Sequence, residues 1–269
     1  MASNAPPPAT DQAISSDSGS TLLALPPELF ERIAELTPAE DLVQLRLTCR
    51  EAASKTERTF ARAHFTDRGF LLCSKPSLQT AVKIVQHTKY RATMKKVTFY
   101  VDCVASSPME VTNVYSGGSR RRIRNAVFYA NFNAARQMLI GQHQELVRHD
   151  EDRSLLTFIF SILRYNNAVV DVAIEAYIGA DDEQLRIPWG YTHCFAQTGA
   201  SPLEQYDRRG FSVVMNAMAL SGYRPQSLTV GNEQWSIPLN ALSALVQKGP
   251  DAAQIMSTVR VLDLHVWTL

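Results

Sequence analysis

With 269 residues, this chain is long enough for one large domain or for a small module followed by a larger one. Hydrophobic residues make up 45% of it and charged residues 20%, which is ordinary for a globular protein with a sizeable core. The formal net charge of +1 excludes a general attraction to nucleic acid or to an anionic membrane. No apolar run approaches the roughly 20 residues of a membrane-spanning helix, and no secretory signal is visible.

The cysteines bear on the compartment and on metal binding. All four are widely spaced, with no CxxC pair and no zinc-binding pattern, which is typical of reduced thiols. We therefore expect an intracellular protein, in the cytoplasm, the nucleus or both. No phosphate-binding glycine loop and no nucleophile motif occurs, so we expect no catalytic residue, no cofactor and no metal site. An enzyme whose site is assembled from scattered residues is the weaker alternative.

Composition divides the chain into three parts. Residues 1–20 are small, polar and rich in proline and serine, and such a segment cannot bury enough apolar surface to offset its ordering entropy. We predict a disordered tail there. Residues 21–66 carry a dense helical pattern and form a small module. Residues 67–269 form a larger α/β domain, so that the whole chain is α+β in organisation.

A proline pair, Pro26 and Pro27, opens the helical pattern. Proline suits the first turn of a helix, because it lacks the backbone N–H that would be unpaired there. Phe30 and Ala34 flank the apolar stripe of this helix. The stripe itself recurs at helical spacing and consists of Leu29, Ile33 and Leu36.

A second helix is predicted directly behind the first. Thr37-Pro38-Ala39-Glu40 has the pattern of a capping box, in which Thr37 would accept a hydrogen bond from the Glu40 amide and the Glu40 carboxylate would reach back. The apolar stripe of this helix consists of Leu42, Leu45, Cys49, Ala52 and Ala53, with Val43 and Leu47 beside it. Two short helices cannot bury so broad a surface on each other. These leucines therefore pack on the rest of the chain or bind a partner.

From Leu25 to Arg50 the residues follow the pattern L-P-x-E-L-x3-I-x2-L-x5-L-x2-L-x-L-x-C-R. This string resembles the F-box, the helical module that joins a protein to the SCF type of cullin-RING ubiquitin ligase. The resemblance implies binding to an SKP-family adaptor and, through it, to a cullin, with the rest of the chain recruiting a protein substrate. The docking surface that it implies consists of Leu25, Pro26, Pro27, Leu29, Ile33, Leu36, Leu42, Leu45 and Leu47.

The sequence departs from the common F-box pattern at one place. After Cys49-Arg50 a tryptophan is frequent in the family, and Ala52-Ala53 stand here instead. The departure bears on the affinity for the adaptor. An alternative of a different class is an F-box interaction protein that acts as a scaffold outside any ligase.

Beyond residue 66 the pattern alternates between helices and short strands. Helices are predicted over residues 76–86, 125–148, 155–163, 211–220, 240–246 and 252–256, and strands over residues 95–101, 168–176, 227–230 and 259–266. A repeated helix-then-strand order is what parallel βα stacking requires. It resembles the irregular leucine-rich-repeat solenoids found behind F-boxes, particularly in fungal proteins. Because no regular repeat ladder occurs, a small open α/β sheet is the competing architecture.

Two insertions, residues 104–124 and 178–200, interrupt this order, and long loops on a rigid scaffold are common recognition sites. The first carries the arginines Arg120, Arg121, Arg122 and Arg124, which suit an acidic or phosphorylated peptide. The alternatives for these arginines are a solvated basic loop, a localisation signal and a nucleic-acid contact. For the chain as a whole we expect no nucleic-acid partner. Trp189 and Tyr191 in the second insertion are candidate partner anchors or packing residues.

One further cluster invites a metal interpretation. His143 and His149 would lie on nearly opposite faces of a helix, which does not suit joint coordination. We therefore interpret this cluster as a solvated helix end, followed by the acidic first turn of the next helix at Asp150-Glu151-Asp152.

Overall fold

The computed structural model describes residues 22–101, 126–175, 204–231, 237–238, 255 and 257–267. Within these residues the chain is mixed α/β, with nine helices and a five-stranded parallel sheet. Contacts divide the chain into two compact units, Met1–Phe60 and Ala61–Leu269, so the division falls a few residues before the predicted boundary. The predicted tail and the helix predicted over residues 240–246 lie outside the described residues, and so does most of the one over residues 252–256.

Short helices make up the described part of the first unit, which ends within the fourth of them: α1 Pro27–Leu36, α2 Ala39–Thr48, α3 Arg50–Lys55 and α4 Glu57–Phe65. The prediction of one continuous second helix is wrong. Cys49 has extended backbone angles and ends α2, and its Sγ accepts a hydrogen bond from the Ala52 N–H at 3.4 Å to cap α3. The apolar stripe predicted for one helix is thus divided between two.

The predicted capping box is also wrong. The Thr37 hydroxyl donates to the Ile33 carbonyl at 2.8 Å, and the Thr37 N–H bonds the Ala34 carbonyl. Thr37 therefore closes α1, while α2 begins behind Pro38 without a side-chain cap. Pro38 occupies the N-cap position of α2, directly after Thr37. The Thr37 hydroxyl instead reaches the Ile33 carbonyl of α1, the helix that ends there.

The second unit alternates strands and helices. Its elements are β1 Asp67–Leu71, α5 Lys75–Gln86, α6 Thr88–Thr93, β2 Lys96–Tyr100, α7 Ala126–Arg148, α8 Glu151–Tyr165, β3 Asp171–Glu175, α9 Glu204–Ser221, β4 Ser227–Val230, β5 Ile237–Pro238, β6 Val261–Leu264 and β7 Val266–Trp267. The strands predicted at β2, β3 and β4 are confirmed, as are the helices predicted at α5, α7, α8 and α9. The last predicted strand is divided at His265 into β6 and β7. β1 was not predicted from the sequence.

Neighbouring strands of the sheet follow chain order, β1-β2-β3-β4-β6, and all pairs are parallel. β5 and β7 form a separate two-stranded parallel pair. Since all five strands run in the same direction, the chain leaves every strand at the same edge of the sheet, which we call the carboxyl edge. It enters the next strand at the opposite edge, which we call the amino edge. Returns at the amino edge are short: α8 ends at Tyr165 and β3 begins at Asp171, and α9 ends at Ser221 and β4 begins at Ser227.

The core lies between this sheet and the helices, with α8 packed against both α5 and α9. Phe99 of β2 meets Phe160 of α8 edge-on, with ring centroids 5.8 Å apart, and Phe160 stacks on Tyr223 at 5.5 Å. The buried Tyr223 hydroxyl accepts a hydrogen bond from the Val170 N–H at 3.1 Å and lies 3.1 Å from the Val170 carbonyl. At this buried site the charged phenolate would lack hydration. Burial therefore raises the pKa of Tyr223 to about 12.

This pKa predicts an alkaline limit to the stability of the second unit. Because the folded pKa lies above the ordinary value of 10.0, Tyr223 favours the folded state below pH 10, and its contribution is lost as the pH rises towards 12. We expect the unfolding free energy, measured by urea denaturation, to fall across this window. Tyr223→Phe removes that contribution to the slope, whereas Tyr165→Phe at an exposed site keeps it. Equal slopes in the two variants would contradict the assignment.

Candidate docking surface

The first unit has an inner face built from a few small and aromatic residues. Phe30 and Ala34 of α1 are buried, and so are Leu42 of α2 and Ala52 of α3. The Lys55 ammonium lies 5.6 Å from the centroid of the Phe30 ring, close enough for a cation–π contact. The flanking residues of the first predicted stripe, and not the stripe itself, therefore form the core side of α1.

Arg46 ties α2 to the helices that follow. Its guanidinium donates to the Ala53 carbonyl at 2.6 Å and to the buried Thr56 hydroxyl at 3.3 Å. It also lies over the Phe60 ring, 4.1 Å from the centroid. Arg46, which lies outside both apolar stripes, thus satisfies polar groups around the break between α2 and α3. It connects α2 to the following helices through two hydrogen bonds and one aromatic contact.

The outer face of α1 is apolar and exposed. Leu29, Ile33 and Leu36, which lie on one side of the helix, are 54%, 38% and 71% exposed, and Leu47 of α2 is 74% exposed. Pro26 and Pro27 are exposed as well. Among the described residues of the first unit, these side chains are not part of the buried core. Clustered exposed leucines are unusual on a monomer and typically mark an interaction site.

The other three residues of the implied docking surface differ in exposure. Leu25 and Leu45 are half-buried, so each presents part of its side chain to solvent. Leu42 is 1% exposed and belongs to the core of the unit.

The predicted substrate-binding residues lie outside the described residues. These are Arg120, Arg121, Arg122, Arg124, Trp189 and Tyr191. The segments that contain them begin after the carboxyl ends of β2 and β3, which are adjacent strands. Both segments therefore leave the sheet at the same edge, which in open α/β sheets is the edge that binds ligands.

A polar cluster at this carboxyl edge was missed by sequence reasoning. The Asp152 carboxylate at the start of α8 is 7% exposed and pairs with the Arg209 guanidinium of α9 at 2.6 Å. The predicted acidic first turn is confirmed, because α8 begins with Glu151 and Asp152, but Asp152 is buried. Its partner lies far along the chain, and no local pattern connects the two. Glu151, the residue before it, does remain on the surface and pairs with Lys75 at 2.6 Å.

His143 of α7 lies beside this ion pair. With Cys73, Asp152, Arg209 and Gly210 it lines a cavity of about 20 Å³, enough for about one water molecule. Burial lowers the pKa of His143, because the charged imidazolium would lose hydration there, and the Asp152 carboxylate opposes that shift. The net lowering of the pKa favours the neutral imidazole. A neutral ring beside a closed ion pair in so small a cavity suits packing better than substrate chemistry.

Two absences hold for the described part of the chain. It contains no group of three or more histidine, cysteine, aspartate or glutamate side chains that could hold a metal ion. None of the helices in these ranges is long and apolar enough to cross a membrane.

Comparisons of the chain with protein-family profiles, with curated proteins and with solved structures found no match.

Proposed function

We propose that this chain is the substrate-recruiting subunit of an SCF-type cullin-RING ubiquitin ligase. The first unit would dock an SKP-family adaptor, which in turn binds a cullin, and the second unit would hold a protein substrate. The chain itself would carry out no bond chemistry and need no cofactor. It would act by proximity, raising the effective concentration of a substrate lysine near the charged conjugating enzyme.

The observation that carries this proposal is the exposed apolar face of Leu29, Ile33 and Leu36 on α1, together with the exposed Leu47 of α2. These residues occupy the spacing at which the chain resembles an F-box. Burying a half-exposed leucine in an interface contributes about 1–2 kcal/mol, so four of them together supply an appreciable part of a stable complex.

For the second unit we propose an irregular leucine-rich-repeat-like solenoid. Two features support it: strands that neighbour each other in chain order, and the lateral packing of α5, α8 and α9. In an open doubly wound sheet the strand order would reverse at some point, and no reversal occurs among the described strands. A stacked scaffold offers a long, continuous surface for a protein substrate.

Cullin recruitment separates this function from that of an F-box scaffold outside a ligase. The chain is co-expressed with an SKP-type adaptor, a cullin and its RING subunit, and the purified material is supplied with ubiquitin, activating enzyme and conjugating enzyme. We expect all four proteins to co-purify and ubiquitin to be transferred to a bound protein. Adaptor binding without cullin or transfer would support the scaffold function instead. No adaptor binding would reject both.

A further inference from the structure

Basic residues are concentrated at the amino edge of the sheet. Four described segments meet there: residues 83–96, 164–171, 220–227 and 258–261. Their one acidic side chain is Asp171, and Asp67 at the start of β1 lies at the same edge, in register with Lys96. Their basic side chains are Lys83, Lys89, Arg91, Lys95, Lys96, Arg164, Arg224 and Arg260. In a chain with a net charge of only +1, such an imbalance marks a distinct surface.

Hydrogen bonds show that these segments form one continuous edge. Arg91 of α6 donates to the Asn166 side chain behind α8 at 2.8 Å. Arg164 at the end of α8 donates to the Ser221 carbonyl at the end of α9, also at 2.8 Å. The Arg260 N–H bonds the Gln226 carbonyl at 3.1 Å. The surface therefore runs without interruption from α6 to the start of β6.

Part of this charge has a structural explanation. Arg91 and Arg164 bond oxygens at helix ends, where a cation also complements the helix dipole. Lys96 pairs with Glu175 at 3.4 Å. By contrast, Lys95, Arg224 and Arg260 are exposed and form no ion pair with any described carboxylate. No ion pair among the described residues accounts for their charge.

Exposed apolar side chains occur in the same segments as several of these cations. Tyr165 at the end of α8 is 88% exposed, Val169 before β3 is 67% exposed, and Leu220 at the end of α9 is 65% exposed. They border the same short returns that bring Arg164 and Arg224 to the edge. Aliphatic groups among cations suit a ligand that combines carboxylates with apolar anchors.

We propose that the amino edge of the sheet docks an acidic segment of a partner protein that also carries leucine-like or aromatic side chains. Carboxylates would face Lys95, Arg224 and Arg260, and the apolar anchors would cover Val169 and Leu220. A nucleic acid would satisfy the cations but would gain little from the two aliphatic residues. This surface belongs to the second unit, and the proposal does not depend on adaptor binding.

Fluorescence anisotropy with the full-length chain tests this docking surface. The probe is a labelled peptide of about 12 residues that alternates Asp or Glu with Leu or Phe. Two further probes separate the contributions: a peptide with serine in place of Leu and Phe, and a thymidine oligonucleotide of similar length. We expect the acidic–apolar peptide to bind most tightly, and added salt to weaken its binding.

Two double variants are expected to weaken that binding by about tenfold or more: Arg224→Glu with Arg260→Glu, and Val169→Ser with Leu220→Ser. The matched control is Arg50→Glu with Arg148→Glu, which makes the same charge change at exposed sites elsewhere and should bind as the parent does. Thermal melts monitored by circular dichroism confirm that each variant is folded. Equal loss in the control, equal or tighter binding of the oligonucleotide, or no binding by the parent chain would overturn the proposal.

Discussion

A chain in which Leu29, Ile33 and Leu36 are replaced by aspartate is expected to fold normally and to lose its SKP-type adaptor. All three side chains are exposed on one side of α1, so the substitutions leave the buried face of Phe30 and Ala34 intact. Each carboxylate would have to be desolvated in an apolar interface, which costs several kcal/mol. We expect pull-down from co-expression to give no detectable complex and circular dichroism to give a melt close to that of the parent.

A matched control distinguishes a docking surface from a general effect of added charge. Phe158, Val169 and Leu220 are large apolar residues of comparable exposure in the second unit. Their replacement by aspartate should leave adaptor binding unchanged. Normal adaptor binding by the α1 variant, or equal loss in the control variant, would contradict the assignment of the surface.

The second large effect is expected at the buried ion pair. Arg209→Met leaves the buried Asp152 carboxylate without its main partner. Because the Arg209 side chain is itself 32% exposed, we expect a loss of about 2 kcal/mol, less than for a fully buried pair. Urea denaturation of the purified chain measures the loss. Replacing both partners by leucine should recover most of it, because no uncompensated charge then remains.

The neighbouring pair between Arg153 and Asp150 supplies the control. Its atoms lie 2.9 Å apart, but both side chains are close to half exposed. Arg153→Met should therefore cost less than about 1 kcal/mol, as is usual for surface pairs. A similar loss in Arg153→Met and Arg209→Met would show that burial does not govern the strength of the inner pair.

Much of the second unit could be predicted because the apolar residues within each helix or strand repeat with the period of that element. β4 has apolar residues at alternate positions, and α5 has them at helical spacing, so local periodicity was sufficient. β1 was missed because it begins with Asp67-Arg68-Gly69, of which Asp67 and Gly69 favour turns. It becomes a strand by parallel pairing with β2, a contact between distant segments that no local window contains.

The docking surface on α1 could be predicted only in part, and the Asp152–Arg209 ion pair could not be predicted from the sequence. Spacing alone identified Leu29, Ile33 and Leu36 as one face, but not whether that face would be buried or exposed. The answer depends on Phe30 and Ala34, which fill the interior and leave the leucines outside. Leu42 shows the opposite case, since it shares the pattern and is buried. The pair of Asp152 with Arg209 could not be found at all, because it exists only once α8 and α9 are packed together.

The most direct test is the association of the unmodified chain with a purified SKP-type adaptor, followed by size-exclusion chromatography with light scattering. Mixed at micromolar concentration, the two proteins should elute as one stoichiometric complex whose mass is the sum of the partners. Elution as two separate species, with no complex at any mixing ratio, would contradict the proposed role of the first unit.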